Sequence, residues 1–376
     1  MIHARSEPVL ALQGLTDGAL CAEVPALSPA QARAIIAAIH RDRPLAPRPG
    51  LSRAALDAAL RHGALPELAV LAHQASTRDP FEKLLFATAD GHRIETVLMP
   101  LERAGRVSVC VSSQAGCGLA CAFCATGDLG LARNLASWEI IEQVRVARRR
   151  LGPGRRVHGV VFQGMGEPLA NLDRVSAAIA VLTAPYALAV DARAITVSTA
   201  GLPDGIRRLA ELAPRVRLAV SIGSPREEVR AELMPVSRAH PLRDVLAAAG
   251  DHARATGLAP LWAVTLLAGI NDSRADADLL ATFARDFAAA TGIAPRLSIL
   301  DYNQVPGARF RRSPALAAFR DQLSAAGVRS HHRYSGGADI AAACGQLAGC
   351  EGEGWGKRAR SARRSWGSTH PEPEDN

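Results

Sequence analysis

Apolar positions in the first third of the chain recur at helical spacing. In SPAQARAIIAAIH, Ile35, Ile36 and Ile39 share a face behind a capping Ser28, with Pro29 in the first turn. LSRAALDAALRHG repeats the logic: Ser52 caps, Leu56 and Leu60 share a face, and Gly63 ends the run. Pro44, Pro47 and Pro49 separate the two, and a third short helix is expected over residues 65–73. The period then changes. KLLFATADGHRIETVLMP is two alternating runs around Asp90-Gly91, which predicts a hairpin. From Val107 onward, the β-branched runs VSVCVS, VHGVVF, AITVST, VRLAVS, LWAVTLL and RLSIL alternate with helical stretches such as SWEIIEQVRVARRR and PLRDVLAAAGDHARATG. Six strands alternating with helices predict a parallel α/β architecture, with functional residues at the carboxyl ends of the strands. A seventh strand, VRSHHRY, leads into SGGADIAAACGQLAGC. There are no internal repeats. The expected organisation is a helical accessory unit over 1–82, an α/β domain over 83–350, and a basic, disordered tail over 351–376.

Composition narrows this picture. At 376 residues and 48% hydrophobic, the chain suits one large domain plus an accessory piece. No apolar run reaches the roughly 18–20 residues of a membrane helix. The first twenty residues lack a basic start, a clean apolar stretch and a cleavage site, so a cytoplasmic protein without membrane contact is expected. The net charge of +8 favours an anionic partner such as nucleic acid, although a solvated Arg-rich surface produces the same number. Arg148-Arg149-Arg150, Arg311-Arg312 and the tail, with Lys357 and Arg358, carry much of the excess. Aromatic content of 4% argues against extensive base stacking.

The chemistry concentrates in CVSSQAGCGLACAFCATG, which holds four of the seven cysteines. Clustered cysteines in a reducing compartment point to metal binding or catalysis rather than disulfides. Cys117, Cys121 and Cys124 form C-x3-C-x2-C in a Gly-containing loop just after the first strand of the alternating series. Soft thiolates select iron–sulfur clusters, zinc or copper(I). A structural zinc wants a fourth ligand, and neither His nor Cys occurs between Cys124 and His158. Three cysteines on a [4Fe–4S] cluster leave one iron open for a chelating substrate.

This loop resembles the signature of the radical S-adenosylmethionine (SAM) superfamily. Together with ARNL, FQGMGEPLANL, VSTAG, RAELMPVSRAHPL and ADIAAACGQLAG, it is similar to the RlmN and Cfr group of RNA adenine methyltransferases, in the same order from about Lys83 to Gly349. The resemblance implies a partial (β/α)6 barrel with an N-terminal helical RNA-binding domain and a C-terminal catalytic loop. It implies a [4Fe–4S] cluster on Cys117, Cys121 and Cys124, SAM as cofactor, and an electron donor such as flavodoxin or ferredoxin. It makes Cys344 the methyl carrier, charged by one SAM; a second SAM yields a radical that activates the S-methyl group for addition to adenine. Cys110 is then the cysteine that resolves the RNA–protein adduct, forming a disulfide with Cys344, and Glu95 a proton acceptor. Gly166, Glu167, Ser198, Ser221, Ile222, Gly223 and Asn303 become SAM contacts, with Gly164 and Gly166 letting backbone approach the ligand. Cys21 and Cys350 have no counterpart in the family.

Three departures surround the substrate: Ser221-Ile222-Gly223 where the family has Ser-Leu-His, Tyr302-Asn303-Gln304 for Trp-Asn-Pro, and Gly336-Gly337-Ala338-Asp339 for Arg-Gly-Asp-Asp. The expected reaction is methylation of an adenine carbon, carbon 2 in preference, of 23S rRNA, with tRNA as a second target. Methylation at carbon 8, another RNA target, and a non-catalytic metal-containing RNA-binding protein remain open at this point.

Overall fold

The computed structural model describes residues 10–305, 307 and 310–349. The basic tail and Cys350 lie outside the described residues. The chain opens with β1 (Leu10–Ala11), α1 (Asp17–Glu23), α2 (Pro29–His40), α3 (Arg53–His62) and β2 (Gly63–Ala64), with β1 and β2 paired in parallel. Ser28 caps α2: its side chain accepts from the Gln31 N–H while the Gln31 side chain accepts from the Ser28 N–H. Ser52 does the same work alone for α3, accepting from Ala55 N–H. Leu56 is buried, but Leu60 stays 47% exposed, so the apolar face of α3 is narrower than its spacing suggests.

Where a third helix was expected, the chain forms strand β3 (Ala69–Ala75). Its exposure alternates residue by residue, and it pairs antiparallel with β4 (Glu82–Ala87). Short apolar runs fit either period; the open edge of β4 selects the strand. β4 and β5 (Arg93–Pro100) make the predicted hairpin, with Gly91 at φ +84° in its turn.

After β6 (Arg106–Val111) comes a small antiparallel ribbon of β7 (Gln114–Cys117) and β8 (Gly130–Asn134). Helices and strands then alternate: α4 (Ser137–Arg150), β9 (Arg156–Phe162), α5 (Leu172–Thr183), β10 (Ile195–Thr199), α6 (Pro203–Leu212) and β11 (Arg217–Ser221). They continue through α7 (Glu227–Leu233), α8 (Leu242–Thr256), β12 (Leu261–Leu266), α9 (Arg274–Thr291), β13 (Arg296–Asp301), α10 (Leu316–Ala325) and β14 (Ser330–Arg333). The main sheet runs β14-β13-β12-β11-β10-β9-β6-β5-β4-β3. Every pairing from β6 to β14 is parallel, and β5 joins β6 antiparallel. The six strands read from the sequence, and the seventh, are the parallel part of this partial α/β barrel.

One apolar core links the N-terminal helices to the barrel: Leu20 and Ile35 belong to the same cluster as Ile140 and Val144 of α4 and Val160 of β9. Polar contacts reinforce the join. Arg145 and Arg148 donate to the carbonyls of Ile39 and His40 at the end of α2, and both pair with Asp42. Cations at a helix C-terminus satisfy its open carbonyls and complement its dipole. Arg149 pairs with Glu142 at 2.6 Å and Arg312 with Asp301 at 2.7 Å. Part of the basic excess is thus committed inside the fold. Among the described residues, no helix is long and apolar enough to cross a membrane.

Candidate active site

β6 ends at Val111, and the chain passes through β7 into the three-cysteine loop. Ala120, at φ +50°, bends it in the left-handed region. Cys124 N–H donates to Cys121 O (3.0 Å), Ala122 N–H to Leu233 O (2.9 Å) and Ala125 N–H to Gly345 O (2.7 Å), fastening the loop to α7 and to the C-terminal segment. Cys117, Cys121 and Cys124 line one end of a cavity of about 900 Å³. Burial pushes all three thiols up, Cys117 to about 11, and neighbouring thiols push Cys121 further. Thiols this reluctant to ionise become thiolates when a metal replaces the proton. Among the described residues, no three His, Cys, Asp or Glu side chains converge on a single-ion site. A cubane cluster binds each cysteine through a different iron, and three buried, neighbouring thiols on one loop suit that donor set.

The facing wall comes from the carboxyl ends of β9, β10 and β11. Glu167 is buried there; its carboxylate accepts from Leu169 N–H (3.0 Å) and Ala200 N–H (2.8 Å). Burial raises it to about 7 against the pull of those bonds. Gly166 lines the cavity, but its immediate constraint is the protein itself: φ is +98°, and a Cβ would lie 2.5 Å from Gln114 Cβ. Gly164 likewise packs against the Val111 backbone, at 2.7 Å from a would-be Cβ. The sequence assigned both glycines to ligand approach; the closest demand comes from chain packing. Ser198 and Ser221 line the cavity. Gly223 lines it too, at φ +71°, where a Cβ would meet Met234 Sδ at 2.5 Å, so the family histidine has no room here unless Met234 moves. Ile222 is fully buried and lies outside the cavity wall, with its carbonyl accepting from Arg230 Nε at 2.9 Å.

The C-terminal segment brings in Cys344, whose N–H donates to Ser335 Oγ (2.8 Å). Asn303 Nδ2 donates to the Cys344 carbonyl at 3.2 Å, so this expected SAM contact is spent on the loop and does not line the cavity. Arg333 reaches Gln163 Oε1 at 2.8 Å and the Cys344 sulfur at 3.9 Å. Cys110, in mid-strand, lines the same cavity; burial and the neighbouring Cys344 push its thiol up to about 12. Both cysteines are free thiols, so the expected disulfide is not formed. Cys110 is fixed by ladders to β5 and β9 on either side, which leaves any approach to the segment carrying Cys344.

Glu95 departs furthest from expectation. It is fully buried in β5 and does not line the cavity. One carboxylate oxygen accepts from Ala348 N–H (2.7 Å) and Gly349 N–H (2.9 Å), and the other lies 2.8 Å from Lys83 Nζ. Lys83 in turn reaches the Ala341 carbonyl at 3.3 Å. The pair holds the segment carrying Cys344 from behind.

Residues 111–281 match the family profile described as the radical SAM superfamily. The chain is 56% identical over 341 residues to a probable RNA methyltransferase of Sorangium cellulosum, covering 84% of this chain and 87% of that protein. It is 43% identical over 291 residues to the dual-specificity RNA methyltransferase RlmN of Syntrophobacter fumaroxidans, covering 77% and 82%. The chain belongs to the RlmN family of radical SAM RNA methyltransferases. A crystal structure of a radical SAM methyltransferase from Sphaerobacter thermophilus superposes on this RlmN-family fold with a TM-score of 0.82 at 35% identity, covering 91% of this chain and all of that one.

Two site residues of this RlmN-family chain escaped the sequence reading. Arg230 is fully buried and donates to the carbonyls of Ala200 (2.7 Å) and Ile222 (2.9 Å), clamping the ends of β10 and β11. Its signal was present: an arginine inside the motif RAELMPVSR, flanked by apolar residues. Arg333 gave no such signal, because strand VRSHHRY carries several basic residues and only the fold shows which one faces Cys344.

Proposed function

We propose that this protein transfers a methyl-derived carbon from SAM, carried on Cys344, to an adenine carbon of ribosomal RNA, carbon 2 in preference, with tRNA as a second substrate class. The observation that supports it best is the joint presence of Cys110 and Cys344 in the cavity that the three-cysteine loop lines, although they come from distant parts of the sequence. When bound on Cys117, Cys121 and Cys124, a [4Fe–4S] cluster supplies the electron that cleaves SAM, drawn from a flavodoxin- or ferredoxin-like donor. Gly166, Glu167, Ser198, Ser221 and Gly223 form the wall against which SAM sits, while Ile222 and Asn303 support that wall and the catalytic loop. At Cys344, the S–H bond gives way to an S–CH3 bond, releasing a proton and S-adenosylhomocysteine. The neighbouring Cys110 holds its proton at neutral pH and serves the release of the RNA adduct. Glu95 contributes by fixing the loop that positions Cys344.

Nucleoside mass spectrometry tests the reading. Unmodified 23S rRNA and bulk tRNA, incubated anaerobically with reconstituted protein, SAM and a low-potential reductant, should give 2-methyladenosine. An 8-methyladenosine product would move the chemistry to carbon 8. The absence of any methylated adenosine, with 5′-deoxyadenosine still formed, would overturn both RNA substrates.

A further inference from the structure

The opposite end of the parallel strands carries a feature the cysteine chemistry does not use. Arg106, Arg156, Arg217 and Arg296 are the first residues of β6, β9, β11 and β13, and Arg103 stands in the turn before β6. Parallel strands all begin at one edge, so these side chains form a row; the ladder sets Arg106 directly beside Arg156. Four of the five are exposed, and Arg106 is half-buried. Some arginines, such as Arg133, Arg145, Arg226 and Arg312, have carboxylate partners, and others, such as Arg285 and Arg320, donate to carbonyls or hydroxyls. None of the five has a carboxylate partner among the described residues, although Glu102 and Asp191 are close by.

Crowding is visible in the titrating groups along the row. Burial, then Arg106, Arg156 and Arg103, hold His158 below its ordinary range, opposed by Asp191. Burial, then Arg296, Arg333 and Arg320, do the same to His331. Arg106 is itself lowered, by desolvation and then by Arg103 and Arg156. Unpaired like charges held side by side oppose folding through self-repulsion, and an anionic partner removes that repulsion.

The row also opens into the reaction cavity. Arg103, Arg217, Arg296 and His331 line the same space as Cys110 and Cys344, so the cavity traverses the partial barrel from one strand end to the other. At the carboxyl end it is bounded by the segment carrying Cys344, held by Glu95, Thr126 and Asn303. The amino end is the one lined with cations that have no carboxylate partner among the described residues.

We propose that the RNA substrate docks across the amino-terminal edge of the parallel sheet, its phosphates on Arg103, Arg217 and Arg296, with the target base entering the cavity from that side. The inference rests on the reading that RNA is the substrate. Guanidinium groups suit this task because their planar forks bind phosphate oxygens in pairs.

The test is a triple Arg103→Gln, Arg217→Gln, Arg296→Gln variant, titrated with unmodified 23S rRNA and bulk tRNA at several salt concentrations. Each phosphate contact contributes about 0.7–0.9 to the slope of log affinity against log salt. The variant should lose about two units of slope and bind at least about tenfold more weakly at low salt, and a triple Arg→Lys variant, which keeps the charges without the forks, should regain most of the slope. Equal slopes and affinities for variant and wild type would overturn the inference. So would a slope that lysine fails to restore, since a slope lost with the charges still present would be structural. Should the triple variant melt abnormally, Arg103→Gln alone decides: it lies in an exposed turn and should cost about one unit of slope. Normal RNA binding with impaired reduction by flavodoxin would assign the row to an acidic redox protein and refute RNA docking. A wild-type chain that binds neither RNA would instead overturn the RNA reading itself.

Discussion

Cys110 and Cys344 are chemically identical groups that the fold treats differently. Cys110 is buried in a strand and pushed up to about 12, whereas Cys344 sits on a loop beside the Arg333 guanidinium. Cys344→Ala should therefore abolish RNA methylation while leaving iron and sulfide content unchanged; methylation persisting in that variant would exclude the methyl-carrier role. Cys110→Ala should accumulate a covalent RNA–protein adduct, visible as a shifted band on a denaturing gel. In the wild type, release of that adduct should accelerate with pH, because a thiol far below its pKa gains about tenfold in thiolate per pH unit. Adduct decay followed from pH 7 to pH 9 checks the sign, and a flat profile would remove Cys110 from the release step. The loop that brings Cys117, Cys121 and Cys124 to one cavity was legible from their close spacing after the first strand of the series. The duty of Glu95 was not, since a glutamate in an alternating strand looks the same whether it faces a substrate or a loop.

At the scale of elements, the segment carrying Cys344 is held from two sides. Asp339 accepts from Ser76 Oγ (2.7 Å) and Thr77 N–H (2.9 Å), and Asp79 accepts from Gly337 N–H (2.9 Å), so the β3–β4 turn clasps the outer part of the segment. Lys83 and Glu95 secure its inner part. Removing one member of a buried ion pair leaves the other charge stranded, which costs about 3–5 kcal/mol. Glu95→Ala should show that loss in urea melts, together with faster amide exchange over residues 341–349. Glu95→Gln retains a carbonyl acceptor for the loop and should recover part of the protection. If Glu95→Gln preserved the loop fully but abolished methylation, a direct proton-transfer role would replace the positional one. Helix α2 was readable because its Ser28 cap and apolar spacing agreed, and α4 and α8 because helical stretches alternate with the strands. β3 was misread because the deciding interaction, the free edge of β4, is not local to its sequence.

At the scale of the molecule, the N-terminal helices do not merely sit beside the barrel; they share its core through α4. A chain beginning at residue 66 would expose the face of α4 that packs on α2 and strand Arg145 and Arg148 without their carbonyl and Asp42 partners. It should bind a hydrophobic dye and elute as aggregate in size-exclusion chromatography, whereas a monodisperse barrel would show that the core is separable. The sequence alone determined what short-range physics encodes: helix caps, the Asp90-Gly91 turn, the alternation of strand and helix, and the close spacing of the cysteine loop. It also carried the family motifs, because those residues recur in fixed order. Tertiary structure decided what depends on distant segments meeting. It set Glu95 behind the loop carrying Cys344, gave Arg148 and Arg149 partners within the fold, closed the position of Gly223 with Met234, and aligned the arginines of separate strands along one edge. Such outcomes follow from which strand ends become neighbours, and that relation exists only once the sheet has formed.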